Sequence, residues 1–301
     1  MRTILSTSLV GLASRPDFVF LTGDLGFGAL EPLRDVAGER FINAGIAEQN
    51  MISVASGLGR MGFAPWVYSI APFIYARPFE QIRNDVCLHR LPVCLIGNGG
   101  GYGYGVMGAT HHALEDYGVL CTLSGLRAYV PAFASDVPVL IARILASRHP
   151  AYLRLGLDEL PPEFDLPQYA PWRHLLAGDK GTMVIVGTLA GSILGAVREL
   201  PVSGRPSVWI ISELPVQASE IPAAFLTELR ASGQLMVVEE HVAAGGAGQM
   251  LVHALALLGE SPQQFTHRTA QGYPSGRYGS QAFHRKECGL DPGSIMTGFR
   301  G

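Results

Sequence analysis

The sequence predicts an α/β protein of two domains, each built on a mainly parallel sheet, the second smaller than the first. Three observations carry this. Apolar runs of strand length (Phe18–Leu21, Ala64–Tyr68, Leu91–Ile96, Arg127–Val130, Ala151–Leu155, Thr182–Val186, Ser207–Ile211, Gln234–Val238) alternate with stretches of helical spacing, as buried parallel strands with crossover helices do. A stretch at 161–178, beginning PPEFDLPQYAP, lacks periodicity and divides residues 1–160 from residues 179–301; proline and acid in such density mark a linker. Across 301 residues, 48% are apolar and only 16% charged, which is enough apolar side chain for a substantial core.

Composition also excludes partners. A formal net charge of −3 offers nothing to nucleic acid or to an anionic membrane. The most apolar stretch, Met183–Val197, is divided by Gly187 and Gly191 and cannot span a bilayer. The start of the chain imitates a signal peptide, but Ser6, Thr7 and Ser8 interrupt it. Leu5, Leu9 and Leu12 keep helical spacing there, so an amphipathic helix is expected. Cys87, Cys94, Cys121 and Cys288 form no CxxC pair. Buried thiols in a reduced, cytoplasmic protein are the simplest reading.

In chain order, the first strand ends at Thr22-Gly23-Asp24, placing Asp24 and Leu25 at a strand's carboxyl end, where open α/β sheets hold ligands. Gly23, Gly26 and Gly28 do not make the dinucleotide fingerprint, and a turn aspartate is the competing reading. Next comes FINAGIAEQNMISVASGLGRMG, residues 41–62. From Ala47 to Gly59 it reads as a helix with Ile46, Met51, Val54 and Leu58 as its apolar positions and a second face of small residues. Glu48 stands in its first turn, where the helix dipole favours a carboxylate.

Phe73, Tyr75 and Phe79 form an aromatic cluster before a helix expected to run from Glu80 to about His89. The loop GNGGGYGYGVMG, residues 97–108, is dense enough in glycine to bring backbone amides to a phosphate or to be mobile. Thr110-His111-His112 and Glu115-Asp116 follow; their spacing is not a standard metal-ligand pattern, and no metal site is assigned. Ser135-Asp136 caps the helix that runs to about Ser147. Arg154 lies near the end of the strand YLRLG, and Glu239-Glu240-His241 reads as structural.

GIAEQN with its small-faced helix, then VYSIAPFIYARPFEQIRND, then GATHHALED, resembles in order and spacing the pyrimidine-binding half of transketolase-like thiamine diphosphate enzymes. VVEEHVAAGGAG resembles that family's C-terminal domain. The resemblance implies a pyrimidine-type thiamine diphosphate-binding domain over 1–160 and a transketolase C-terminal-like domain over 179–301. It implies that Glu48 hydrogen-bonds a ring nitrogen of the cofactor's aminopyrimidine, a role a carboxyl can fill if a dry site lets it keep its proton. By the same matching, Phe73 stacks on that ring with Phe79 nearby, and Asp24 and Leu25 face the thiazolium. His111 reaches the reacting sugar, and Arg154 and Arg2 meet a substrate phosphate, a task suited to the guanidinium fork.

Two departures follow from the same comparison. The family's Gly-Asp-Gly magnesium motif has no counterpart, since Gly23-Asp24 precedes Leu25 and Gly178-Asp179 precedes Lys180. Magnesium and the diphosphate would then be held by a separate diphosphate-binding subunit, with two copies of each chain in the assembly. The family's usual Asp-Gly-Pro-Thr-His is here Met107-Gly108-Ala109-Thr110-His111, and a substrate-binding histidine is replaced near Gly99. The resemblance implies transfer of a two-carbon ketol unit from a ketose donor. Met107 leaves open an acceptor that is a lipoyl group or carrier-protein thiol, and a non-catalytic scaffold subunit is a third class.

Overall fold

The computed structural model describes residues 1–157 and 159–298. Two sheets organise the chain. The first has seven strands: β1 (Phe18–Thr22), β2 (Phe41–Asn43), β3 (Ala64–Ile70), β4 (Cys94–Asn98), β5 (Arg127–Tyr129), β6 (Ala151–Leu155) and, from far along the chain, β10 (Glu213–Leu214). Its order is β10-β5-β6-β4-β3-β1-β2, parallel except for β10 against β5. The second sheet joins β7 (Trp172–Leu176), β8 (Thr182–Val186), β9 (Ser207–Ile211), β11 (Gln234–Glu239) and β12 (Gln264–Arg268) in the order β12-β11-β8-β9-β7.

The central strands are buried at every position in β1, β3, β6, β8 and β9, as continuous apolar runs covered on both faces must be. Helices Arg2–Val10 and Asp136–Ser147 pack on one face of the first sheet with Phe18, Phe20, Trp66 and Leu153 beneath them. The helix Glu48–Arg60 covers the other face.

Four local expectations change. The buried stripe of helix Glu48–Arg60 is Glu48, Met51, Ile52, Ala55, Ser56 and Gly59, whereas Ile46 is 78% exposed and Val54 39%. Close approach sets this face: Gly59 meets Leu91 where a Cβ would lie 3.3 Å away, and Ser56 Oγ donates to the Asp85 carbonyl at 3.0 Å. The helix expected from Glu80 to His89 is one short turn, Phe79–Gln81, followed by a π-helical turn over Ile82–Cys87. The stretch read as linker contains β7, whose Trp172 packs on Phe225. Ser135 makes no capping bond; Asp136 instead ties down the segment before the helix, accepting from Ala132 N and Phe133 N at 3.1 and 3.0 Å and pairing with Arg173 at 2.9 Å.

The glycine loop is a docking element between the two sheets. Its amides are spent inside the chain: Gly99 N and Gly100 N donate to the Leu155 carbonyl, Gly101 N to that of Ala113, and Tyr102 N to Glu240 Oε1 at 2.6 Å. A phosphate cradle needs free amides, and these four are already taken. Tyr102 stacks on His284 with ring centroids 4.8 Å apart, and its hydroxyl donates to the Gly272 carbonyl at 2.7 Å.

Candidate active site

Strand ends and helix starts bring most of the singled-out residues to one rim of the first sheet. Glu48 opens its helix and is only 5% exposed. Its Oε1 accepts from Arg77 Nη1 at 2.7 Å, and the same guanidinium lies 3.8 Å over the ring of Phe73. Phe73 meets His111 edge-on at 5.2 Å, and His111 lies 5.8 Å from the ring of Tyr104. Glu48, Arg77, Phe73, His111 and Tyr104 therefore form one unbroken line of contacts. His111 Nδ1 sits 2.9 Å from Thr110 Oγ1, which leaves Nε2 for other work.

Asp24 and Leu25 join this rim through a residue that the motifs do not reveal. Asn43, the last residue of β2, accepts from Asp24 N and Gly45 N at 3.0 Å each and donates from Nδ2 to Asp24 Oδ1 at 3.0 Å. It ties the turn after β1 to the turn that launches Glu48. Asp24 holds φ +57 there, a left-handed conformation that aspartate tolerates better than most residues. A cavity of about 210 Å³ beside this turn is lined by Asp24, Leu25, Phe27, Arg34 and Asn43, among others.

Other singled-out residues lie off this line of contacts, and Arg154 is engaged within the chain. It is 6% exposed, its Nε lies 2.9 Å from Asp116 Oδ2, and Nη2 donates to the carbonyls of Ala113 and Glu240 at 3.0 and 2.9 Å. Burial pulls its pKa down, but Asp116 with Tyr117, Tyr152 and Glu240 holds it above the ordinary value. Arg154 is a tie between the two sheets. Phe79 packs partly buried against the core rather than on the line of rings. Met107 ends a short 3₁₀ turn, 55% exposed. Arg2 is exposed and lies near Tyr68.

His112 and Asp116 are consumed structurally: His112 Nε2 pairs with the Gly105 carbonyl and Nδ1 with Tyr273 Oη at 2.9 Å, and Asp116 accepts from Tyr152 Oη at 2.7 Å. Burial lowers the His112 pKa below its ordinary value. Glu239 accepts from Ala247 N and Gly248 N at 2.8 and 2.9 Å and from the Tyr117 hydroxyl, as its structural reading expects. Among the described residues, no group of three or more His, Cys, Asp or Glu side chains is placed to hold a metal ion.

A dry carboxylate beside a partly buried aromatic ring suits a flat heteroaromatic ligand with a ring nitrogen, and comparison with known proteins points the same way. Residues 1–162 match the family described as transketolase, pyrimidine binding domain. The chain belongs to that family, whose enzymes depend on thiamine diphosphate. It is a component of the two-part, transketolase-like kind of transferase. It is 29% identical over 264 residues, 86% of this chain and 83% of the other, to an apulose-4-phosphate transketolase subunit of Actinobacillus succinogenes. It is 27% identical over 222 residues, 72% of this chain and 67% of the other, to the 6-deoxy-6-sulfo-D-fructose transketolase subunit SqwH of a Clostridium species. Among solved structures, a split-gene transketolase described as an inactive β4 tetramer superposes with a TM-score of 0.81 and 27% identity, covering 99% of this chain and 96% of that one.

Proposed function

We propose that this chain is the pyrimidine-binding half of a two-component transketolase that moves a two-carbon ketol unit, completed by a separate subunit that holds the diphosphate and magnesium. The observation that carries the reading is the buried Glu48 joined through Arg77 and Phe73 to His111. Glu48 would hold a proton at the pyrimidine ring nitrogen, Phe73 would stack on the ring, and Asp24 and Leu25 would border the thiazolium. Bound thiamine diphosphate supplies the carbon nucleophile that accepts the ketol unit.

The chain's own residues do the rest. His111 exchanges a proton at Nε2 with the sugar oxygen, its ring set by Thr110 at Nδ1 and by the edge of Phe73. Arg2, exposed at the rim beside Tyr68, takes an anionic end of the substrate in place of Arg154. The β4 relative, described as inactive, supports a chain that does not act without its partner. Names of the relatives make phosphorylated and sulfonated ketoses the first donors to test.

The test is co-expression with the candidate diphosphate-binding subunit and a screen of ketose phosphates, 6-deoxy-6-sulfo-D-fructose and hydroxypyruvate as donors. Turnover that falls about two to four orders of magnitude in Glu48→Gln is expected. Turnover unchanged by Glu48→Gln would remove Glu48 from the chemistry.

A further inference from the structure

The site just described leaves one polar side chain without an assignment. Tyr104 rises from the glycine loop and closes the line of contacts beyond His111, on the side away from Glu48. Its phenol oxygen accepts from Asn98 Nδ2 at 2.8 Å, Asn98 being the last residue of β4. Among the described residues no acceptor takes the Tyr104 hydroxyl proton. A phenol has one donor and can accept as well, so the Asn98 bond leaves the donor in hand and orients the oxygen that carries it.

The backbone is arranged to admit this ring. Gly99 holds φ +73, and a Cβ placed on it would lie 2.3 Å from Tyr104 Cε2 and 2.5 Å from Cδ2. No side chain at 99 can coexist with Tyr104 where it stands. Gly103 is equally constrained, its Cβ position falling 2.8 Å from the Gly99 Cα. The loop thus gives up side chains on both sides of Tyr104 to set a single phenol at the mouth, beside the carboxyl ends of β3 and β4, where open parallel sheets take ligands.

We infer that Tyr104, oriented by Asn98, donates to a substrate hydroxyl beyond the two carbons that are transferred. This rests on the ketol-transfer reading and extends it to specificity.

Tyr104→Phe is the discriminating variant, because the ring still fills the space beside Gly99 and only the hydroxyl is lost. The complex with the partner subunit is assayed with hydroxypyruvate as donor and with glycolaldehyde or D-erythrose as acceptor. The expected result is a fall of about ten- to a hundredfold in kcat/KM for D-erythrose, carried mostly by KM, with glycolaldehyde changed less than about twofold. The melting temperature should match the wild type. Asn98→Ala should reproduce part of the loss for D-erythrose alone. Equal losses with both acceptors, or no change with either, would overturn the role of Tyr104 while leaving ketol transfer in place. Absence of wild-type turnover with every donor and acceptor would overturn the ketol-transfer reading itself, and this inference with it.

Discussion

Replacing Arg154 by alanine separates the two roles that a guanidinium on a strand end can have, and the structure supplies the magnitude. Both members of its ion pair are sealed, with side-chain exposures of 6% for Arg154 and 0% for Asp116. Removing one partner of such a pair costs about 3–5 kcal/mol, because the other is left as an uncompensated buried charge. Asp116 has little to fall back on: Oδ1 has no partner, and Oδ2 keeps only the Tyr152 hydroxyl. The carbonyls of Ala113 and Glu240 lose their shared donor at the same time, and since all three contacts belong to one group their costs do not add. At about 2–4 °C per kcal/mol for domains of 150–250 residues, the melting temperature of Arg154→Ala should fall by roughly 6–20 °C. Arg154→Met combined with Asp116→Leu removes both charges and should recover most of the loss. Thermal unfolding followed by circular dichroism makes the comparison. An unchanged melting temperature together with a raised KM for phosphorylated donors would refute the argument and return Arg154 to the substrate.

Three further outcomes are expected. Arg77→Ala removes the cation that occupies both Glu48 and the face of Phe73; an aminopyrimidine fragment titrated against the chain by NMR should bind about tenfold more tightly if the guanidinium competes with it, and weaker binding would mean that Arg77 helps to hold the ring. Asn43→Ala cuts the link between the Asp24 turn and the Glu48 turn, so cofactor affinity in the complex should drop while the melting temperature moves by a few degrees at most; retained affinity would show that the two turns hold themselves. Burial holds the folded pKa of His112 below the ordinary 6.5; the unfolded chain then takes up more protons than the folded one just below that pH. The stability it confers is full above about 6.5 and is lost as pH falls from there, and His112→Gln should flatten this slope between pH 7 and 5 in urea unfolding.

What could be read from the residues, and what could not, divides along physical lines. Strands such as Phe18–Thr22 and Ala151–Leu155 are legible because a doubly covered parallel strand must be apolar throughout. Glu48 and Phe73 stand in a motif whose order and spacing survive in the sequence itself. The destination of Arg154 is not legible, since it depends on Asp116, 38 positions earlier, being sealed in the interior beside it. Strand β10 consists of two residues that join the sheet of the other half, a pairing with no local pattern. The glycine loop has the composition of a phosphate cradle, and only the partners of its amides show that they are already used. Asn43, Arg77 and Tyr104 act through side-chain contacts across 19, 29 and 6 positions of chain, and nothing in their neighbours announces the partner.

Calorimetric titration of the purified chain with thiamine diphosphate and magnesium, alone and with the diphosphate-binding subunit, tests the central claim most directly. One stacked ring and one hydrogen bond supply only about 1–3 kcal/mol, which corresponds to binding weaker than about millimolar. No measurable heat is expected from the chain alone and saturable binding once the partner is added, with that heat diminished in Glu48→Gln. Micromolar binding by this chain in isolation would contradict that claim.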